Sequence, residues 1–196
     1  MQGIFISGLL KFFRNKDAEN VYYLGLKPDK KFHNDLQQLR LALTPIVGAN
    51  HLTIAYGQSI PLFGFPALLA EERKLKGLFK KEFSKLPSSS VCKISDIFID
   101  ELTGSFGYNL IYDEHVEAFL EKSKTLLTKE FDLPSAQIMV RNSKRLVLAK
   151  NLPKLILEKV AKENRLNCSN FNIEGVTLKR QTNASKFKIV EQLSWV

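Results

Sequence analysis

The stretch GANHLTIAYG, Gly48–Gly57, says more about the fold of this chain than any other stretch. His51 and Thr53 stand two residues apart in an apolar run, and a strand alternates its faces with a period of two. Their side chains should therefore share one face, with Leu52 and Ile54 on the other. An imidazole that titrates near neutral pH, beside a hydroxyl that donates and accepts, suits phosphate handling. A strand with a histidine at its edge explains the same residues, so the rest of the chain must decide.

The composition predicts a single globular domain over residues 1–196. The chain is 44% hydrophobic and 25% charged, which is ordinary for a globular protein and sufficient for a substantial core. It has 29 Lys and Arg against 20 Asp and Glu, a formal net charge of +9. This excess favours polyanionic partners such as RNA, DNA, nucleotides or acidic membrane surfaces. A solvated, lysine-rich surface accounts for the excess equally well.

The cysteines and the apolar runs favour a cytoplasmic protein without a membrane span. Cys92 and Cys168 have no paired spacing, which supports neither a zinc site nor a disulfide framework, and no metal or other cofactor is expected. The apolar start, residues 1–13, lacks the charged leader and small-residue cleavage site of a secretory signal. The run over residues 60–70 is too short to cross a membrane. We expect a monomer.

Hydrophobic periodicity predicts strands and helices in alternation. Pro61–Pro66 is predicted to be a loop, and Asn34 or Asp35 to lie near the start of the first helix. Pro87–Ser90 marks a connection or a boundary between two lobes. Strands are predicted at residues 21–26, 51–57, 91–99, 106–112, 137–140, 145–150, 171–179 and 186–196, and helices at 32–43, 67–86, 115–131 and from Pro153 to about 164.

Three segments, taken in order, resemble the 2H phosphoesterase superfamily, which includes bacterial RNA 2′,3′-cyclic phosphodiesterases. They are YLGLKPD at Tyr23–Asp29, HLTIAYG at His51–Gly57 and FNIEGVTL at Phe171–Leu178. Proteins of this superfamily carry two His-x-Thr or His-x-Ser motifs on strands from two lobes. The resemblance implies an α+β, two-lobed fold in which antiparallel sheets form a central cleft and helices lie on the outside.

The second motif is degenerate in this chain. At its expected position the sequence reads RLVLA, Arg145–Ala149, with neither the histidine nor the hydroxyl. In active members one histidine takes a proton from the attacking group, the other protonates the leaving oxygen, and the hydroxyls hold the phosphate. Arg145 cannot exchange that proton, since a guanidinium stays protonated and only donates, and Val147 has no hydroxyl. Arg145 could still clamp a phosphate oxygen, and Lys150 is a second candidate phosphate ligand.

Other residues could supply the missing acid or base. Lys150, Tyr56 and His33 are candidates, although strand alternation turns Tyr56 away from the His51 face. If the second motif lies elsewhere in the chain, the partner histidine is His115. The start of the helix that carries His115 would then have to line the cleft.

The resemblance implies two functions, and a third stays open. The first is a metal-independent phosphodiesterase acting on 2′,3′-cyclic or 2′,5′ linkages of RNA or nucleotides, with His51 as acid or base and Thr53 and Arg145 on the phosphate. The second is a catalytically inactive relative that binds RNA ends or nucleotides through the same basic cleft. The third is a protein-interaction module, which no sequence feature favours.

Overall fold

The strands of the molecule form an antiparallel sheet whose two halves meet at one long strand. The computed structural model describes residues 20–53, 59–83, 90–131, 138–140, 144–163, 170–181 and 187–194. The strands within these ranges are β1 (Asn20–Pro28), β2 (Ile60–Ala67), β3 (Val91–Asp100), β4 (Ser105–Tyr112), β5 (Met139–Val140), β6 (Arg145–Ala149), β7 (Asn170–Gln181) and β8 (Phe187–Ser194). The α-helices are α1 (Lys30–Val47), α2 (Glu72–Phe83), α3 (Glu114–Phe131) and α4 (Lys154–Glu163).

Strand β7 joins the two halves. The strand order is β5-β2-β1-β7-β3-β4-β6, and β8 also pairs with β7. The first residues of β7, Asn170–Asn172, pair with β3, and the longer remainder pairs with β1 and β8. We call β5, β2, β1, β7 and β8 the first half-sheet, and β3, β4 and β6 the second half-sheet. The predicted α+β class with antiparallel sheets is confirmed.

Helix α1 is capped by Asp29, which also ties it to β7. One carboxylate oxygen of Asp29 accepts from the Phe32 backbone N–H at 2.7 Å, and the other accepts from the Asn172 N–H at 2.8 Å. The Asp29 N–H donates to the Asn172 carbonyl at 2.9 Å. Helix α1 begins at Lys30, so Asn34 and Asp35 lie within its first two turns, and the cap is Asp29.

Asp113 has the same role for α3 in the second half-sheet. One of its carboxylate oxygens accepts from the Val116 N–H at 2.9 Å and the other accepts from the Val91 N–H at 2.5 Å. Each half of the fold therefore fixes a helix start to a neighbouring strand through one aspartate. The sequence analysis did not identify either cap.

The segment Pro61–Pro66, predicted as a loop, is most of strand β2. It pairs with β1 along its length, and β5 reaches only Phe63 and Gly64 on the other edge. Proline lacks the N–H that a central strand must donate, so it is tolerated where one edge of the strand has no partner. Both prolines lie outside the part of β2 that β5 covers, and the prediction failed because it treated proline as a strand breaker.

The helices bury apolar faces against the sheet, as their periodicity predicted. Helix α1 buries Phe32, whose ring stacks on Phe171 of β7 with a centroid distance of 4.0 Å. Residues of α2 and α3 pack with Leu24 and Leu178, on one face of the first half-sheet. The buried face of β4 carries Tyr108, Leu110 and Tyr112, while Ile111 is exposed.

Several predicted features lie outside the described residues. These are the apolar start over 1–13, the strand beyond Thr53 over 54–57, the connection at 87–89 and the last turn at 183–185. The single-domain prediction and the monomer prediction remain predictions. In the described ranges, no helix is long and apolar enough to cross a membrane.

Two glycines provide a matched test of the packing. An added Cβ at Gly107 of β4 would overlap the Leu146 carbonyl and lie 2.8 Å from the Phe98 ring, whereas one at Gly77 of α2 would meet nothing. We expect Gly107→Ala to lower the free energy of unfolding by about 2 kcal/mol or more. Gly77→Ala should raise it by about 0.5–1 kcal/mol, because alanine suits a helix interior better. Urea denaturation measures both, and equal stability of the two variants would contradict the β4–β6 register.

Candidate functional site

His51 ends a short turn that follows α1. Gly48 has φ +80°, a conformation that favours glycine, and its N–H donates to the Thr44 carbonyl at 2.9 Å. Ala49–His51 then forms one turn of 3₁₀-helix, with the His51 N–H bonded to the Gly48 carbonyl at 3.2 Å. The sequence predicted His51 within a strand, which was wrong because the left-handed glycine reverses the chain into a turn.

The residues after this turn pair with β6, the strand that carries the degenerate motif. The Thr53 N–H donates to the Leu148 carbonyl at 2.9 Å, and the Lys150 N–H donates to the His51 carbonyl at 2.9 Å. Leu52 lies opposite Ala149 in an antiparallel bridge. The two motif segments are thus neighbours in the hydrogen-bonded sheet, at the edge of β6 away from β4.

The His51 ring is held by a backbone carbonyl. Its Nδ1 lies 3.0 Å from the carbonyl oxygen of Lys150. A carbonyl only accepts, so Nδ1 carries the proton in the neutral ring and Nε2 keeps its lone pair. The side chain is half-buried. In this tautomer, Nε2 is the nitrogen that can take a proton from a bound group.

The hydroxyl of Thr53 bonds to the same strand. Its Oγ1 lies 2.6 Å from the Val147 carbonyl and 3.2 Å from the Leu148 carbonyl. A hydroxyl has a single proton, which these two acceptors share. Thr53 therefore docks its own segment onto β6, and in this position it has no proton left to donate to a phosphate oxygen.

Arg145 lies at the far end of β6 from His51. It is four residues from Ala149, about 13 Å along an extended strand. Its guanidinium carbon lies 4.9 Å from the ring centroid of Phe98 in β3, so the side chain reaches across β4, away from the His51 edge. The structure does not bring Arg145 and His51 together, although the predicted phosphodiesterase function requires both at one phosphate.

The charge of Arg145 faces an acidic loop. The pKa of Asp100 lies below its ordinary value, chiefly because Thr103 hydrogen-bonds to its carboxylate, with smaller contributions from the Leu102 N–H and the charge of Arg145. The positive charge of Arg145 is therefore partly balanced by the Phe98 ring and the Asp100 carboxylate before any anion binds.

The other predicted participants are spread over the molecule. Lys150 is joined to His51 by one hydrogen bond between their backbones and one between the His51 ring and the Lys150 carbonyl, and its side chain is exposed. His33 is half-buried in the first turn of α1, and His115 is exposed in the first turn of α3. Tyr56 lies outside the described residues. Among the described residues, no three His, Cys, Asp or Glu side chains are grouped as metal ligands.

The sequence analysis missed Phe98, which orients Arg145. The ring of Phe98 lies over Gly107, its partner in the β3–β4 pairing, because glycine leaves the space open. An aromatic residue paired with a strand glycine is a known cross-strand arrangement. This pairing could have been predicted from the register of the β3–β4 hairpin, but the sequence alone does not specify that register.

Comparisons with known proteins establish the fold. No protein-family model matches the chain, and no curated protein sequence matches it. Among solved structures it is similar to Escherichia coli LigT in its apo form, with 8% identity, a TM-score of 0.57 and coverage of 92% of this chain and 98% of LigT. It also matches a phosphoesterase with 9% identity, a TM-score of 0.49 and coverage of 92% and 98%.

A third match is Kluyveromyces marxianus Usb1 with uridine monophosphate, with 11% identity, a TM-score of 0.37 and coverage of 87% of this chain and 97% of Usb1. The similarity to LigT shows that this chain has the LigT fold. The resemblance to the 2H phosphoesterase superfamily, to which LigT belongs, is confirmed at the level of the fold.

The His51 tautomer can be measured directly. We expect the neutral ring of His51 to carry its proton on Nδ1, because the Lys150 carbonyl accepts from that nitrogen. Long-range ¹H–¹⁵N correlation spectra distinguish the two nitrogens, with the exposed His115 as an internal reference. A proton found on Nε2 of neutral His51 would contradict the contact with Lys150.

Two substitutions test whether the Thr53 hydroxyl holds its segment on β6. Thr53→Val keeps the shape but removes the hydroxyl, and should lower the free energy of unfolding by about 1 kcal/mol. Thr53→Ser keeps the hydroxyl and should retain most of that stability. Guanidinium denaturation measures both variants. If valine were as stable as serine at this position, the hydrogen bond to Val147 would contribute nothing.

Proposed function

We propose that this chain, with the fold of LigT, binds phosphate-bearing RNA ends or nucleotides at the His51 segment and turns them over slowly or not at all. The observation that carries the low turnover is the position of the Thr53 hydroxyl, 2.6 Å from the Val147 carbonyl, while the net charge of +9 supports the binding of an anion. A phosphate oxygen accepts hydrogen bonds, and a hydroxyl whose proton is already donated cannot serve it.

The degenerate motif supports the same proposal. Arg145 replaces a histidine that would exchange a proton, and Val147 replaces a hydroxyl. Losing one arm of general acid–base catalysis costs about a hundredfold to ten-thousandfold in rate. Among the described histidines, His33 and His115 lie at the starts of α1 and α3 rather than on β6 beside His51.

The charge of the chain favours an anionic ligand. A net charge of +9 attracts a polyanion and makes its binding sensitive to salt. The exposed side chain of Lys150 belongs to the residue next to His51 in the sheet and can contact a phosphate bound there. The protonated imidazole can donate one hydrogen bond to a phosphate oxygen through Nε2, because its Nδ1–H is engaged by the Lys150 carbonyl, and this contact needs no second catalytic group.

A second candidate function is a metal-independent phosphodiesterase that works with one histidine. The fixed ring of His51 favours it, because a carbonyl on Nδ1 leaves Nε2 poised as a base toward an attacking hydroxyl or water. The protonation of the leaving oxygen would then fall to solvent or to Lys150.

One experiment separates the two functions. An RNA oligonucleotide ending in a 2′,3′-cyclic phosphate is incubated with the protein in EDTA, with binding followed by fluorescence anisotropy and turnover by chromatography. We expect binding that weakens strongly between about 50 and 200 mM salt, and little turnover. His51→Ala should weaken binding about threefold to tenfold, the effect of losing one hydrogen bond.

His115→Ala is the matched control, since it removes an exposed histidine at the start of α3, which makes none of the contacts of the His51 segment. If His51→Ala abolishes turnover and His115→Ala does not, the phosphodiesterase is favoured over the binding protein. The absence of binding at low salt, or binding that depends on an added metal, would overturn both functions.

A further inference from the structure

A pocket lies on the first half-sheet, on residues that the His51 site does not use. It has a cavity volume of about 40 Å³ and is lined by residues of β1, β2, β7 and β8 and by the residue that precedes β2: Tyr23, Leu24, Gly25, Ser59, Pro61, Lys179 and Phe187. Gly25 lets the chain at the start of β2 pack closely on β1, because an added Cβ there would lie 2.9 Å from the Ile60 carbonyl and 3.0 Å from the Ser59 hydroxyl. A cavity of this size holds about three waters, which is room for a small anionic group, and a ring attached to that group would lie against the exposed face of Phe187.

Lys179 is the charged group of this pocket. It is half-buried, and this desolvation lowers the pKa of its ammonium from the ordinary value. The neighbouring carboxylates are engaged elsewhere, Glu72 with Arg180 at 2.8 Å and Glu191 with Lys80 at 3.3 Å. Within the described ranges, no carboxylate pairs with Lys179.

An ammonium that is desolvated without a counter-charge is costly to the fold. The same desolvation strengthens its attraction for an anion that enters the pocket, because the local dielectric constant is lower than in water. Lysine attracts such a group as a point charge, without the planar match that arginine demands.

The rest of the lining is suited to an apolar, flat body. The rings of Tyr23 and Phe187 meet edge to face with centroids 5.4 Å apart, and the Tyr23 hydroxyl donates to the Gln181 side-chain oxygen at 2.9 Å. Phe187 is exposed at 39%, high for a phenylalanine, so one side of its ring can receive a ligand. The Ser59 hydroxyl is buried at the floor.

We propose that this pocket binds an anionic group carried on an aromatic ring, either a phosphate ester or a carboxylate, with Lys179 as the charge partner and the Tyr23 and Phe187 rings as the apolar wall. The residues that line the pocket do not belong to the His51 segment, and the inference does not depend on the function proposed for that segment.

The test measures the binding of three probes to the full chain by isothermal titration calorimetry at low salt: phenyl phosphate, benzoate and inorganic phosphate. We expect a ring-bearing anion to bind more tightly than inorganic phosphate, which lacks the flat body. Whichever of phenyl phosphate and benzoate binds more tightly shows whether the pocket prefers a phosphate ester or a carboxylate.

Lys179→Met should weaken the tightest probe about tenfold or more, the effect of losing a charge-assisted hydrogen bond. The control is Lys188→Met, at an exposed lysine of β8 paired with Arg180, which should leave affinity within about twofold. His51→Ala should also leave the affinity unchanged, so a failure here is distinct from a failure of the His51 proposal.

Lys179→Met should melt no lower than wild type, because methionine removes the desolvated charge.

Wild-type protein gives an independent readout of the same site. Saturating probe should protect Lys179 from an amine-reactive reagent, as read by peptide mass spectrometry, while leaving Lys188 reactive. The proposal is overturned if no probe binds at millimolar concentration, if Lys179→Met binds as wild type does, or if Lys179 is not protected.

Discussion

The hydrogen bonds along both edges of β7 are the constraint on which the rest of the structure depends. In the described part of the chain, this strand pairs with β1 on one edge and with β3 and β8 on the other, so it joins the two half-sheets. Asp29 adds a carboxylate contact to the Asn172 N–H, which fixes the start of α1 to the same strand. A ring stack between Phe32 and Phe171 packs the helix at that point. The positions of both motif segments follow from this joint.

The polar groups of the first motif are used largely to hold the motif in place. Backbone bonds from Thr53 and Lys150 attach the segment to β6, the Thr53 hydroxyl adds a further bond, and the Lys150 carbonyl orients the His51 ring. This arrangement fixes the tautomer of His51. It also uses the Thr53 hydroxyl in a hydrogen bond to β6, so that hydroxyl is not free to contact a ligand. The arrangement suits recognition of an anion through one nitrogen better than a proton transfer that needs two partners.

The cations of the molecule differ in how far their charge is satisfied. Arg145 is stacked on Phe98 and faces Asp100, and Arg180 is paired with Glu72. Lys179 differs from both, because it is desolvated and no carboxylate of the described residues pairs with it. Net charge alone therefore says little about where an anion binds, because burial and pairing decide which ammonium or guanidinium still attracts one.

The sequence by itself determined most of the element order, the apolar faces of the helices, and the candidate pair His51 and Thr53, because these depend on local periodicity and short motifs. It could not place the Pro61–Pro66 strand, the Asp29 and Asp113 caps, or the Arg145 side chain. Those depend on which edges pair and which residues meet across strands, such as Phe98 with Gly107. The pocket around Lys179 is of the same kind: its residues come from four separate segments, and only the tertiary structure removes water from around that ammonium.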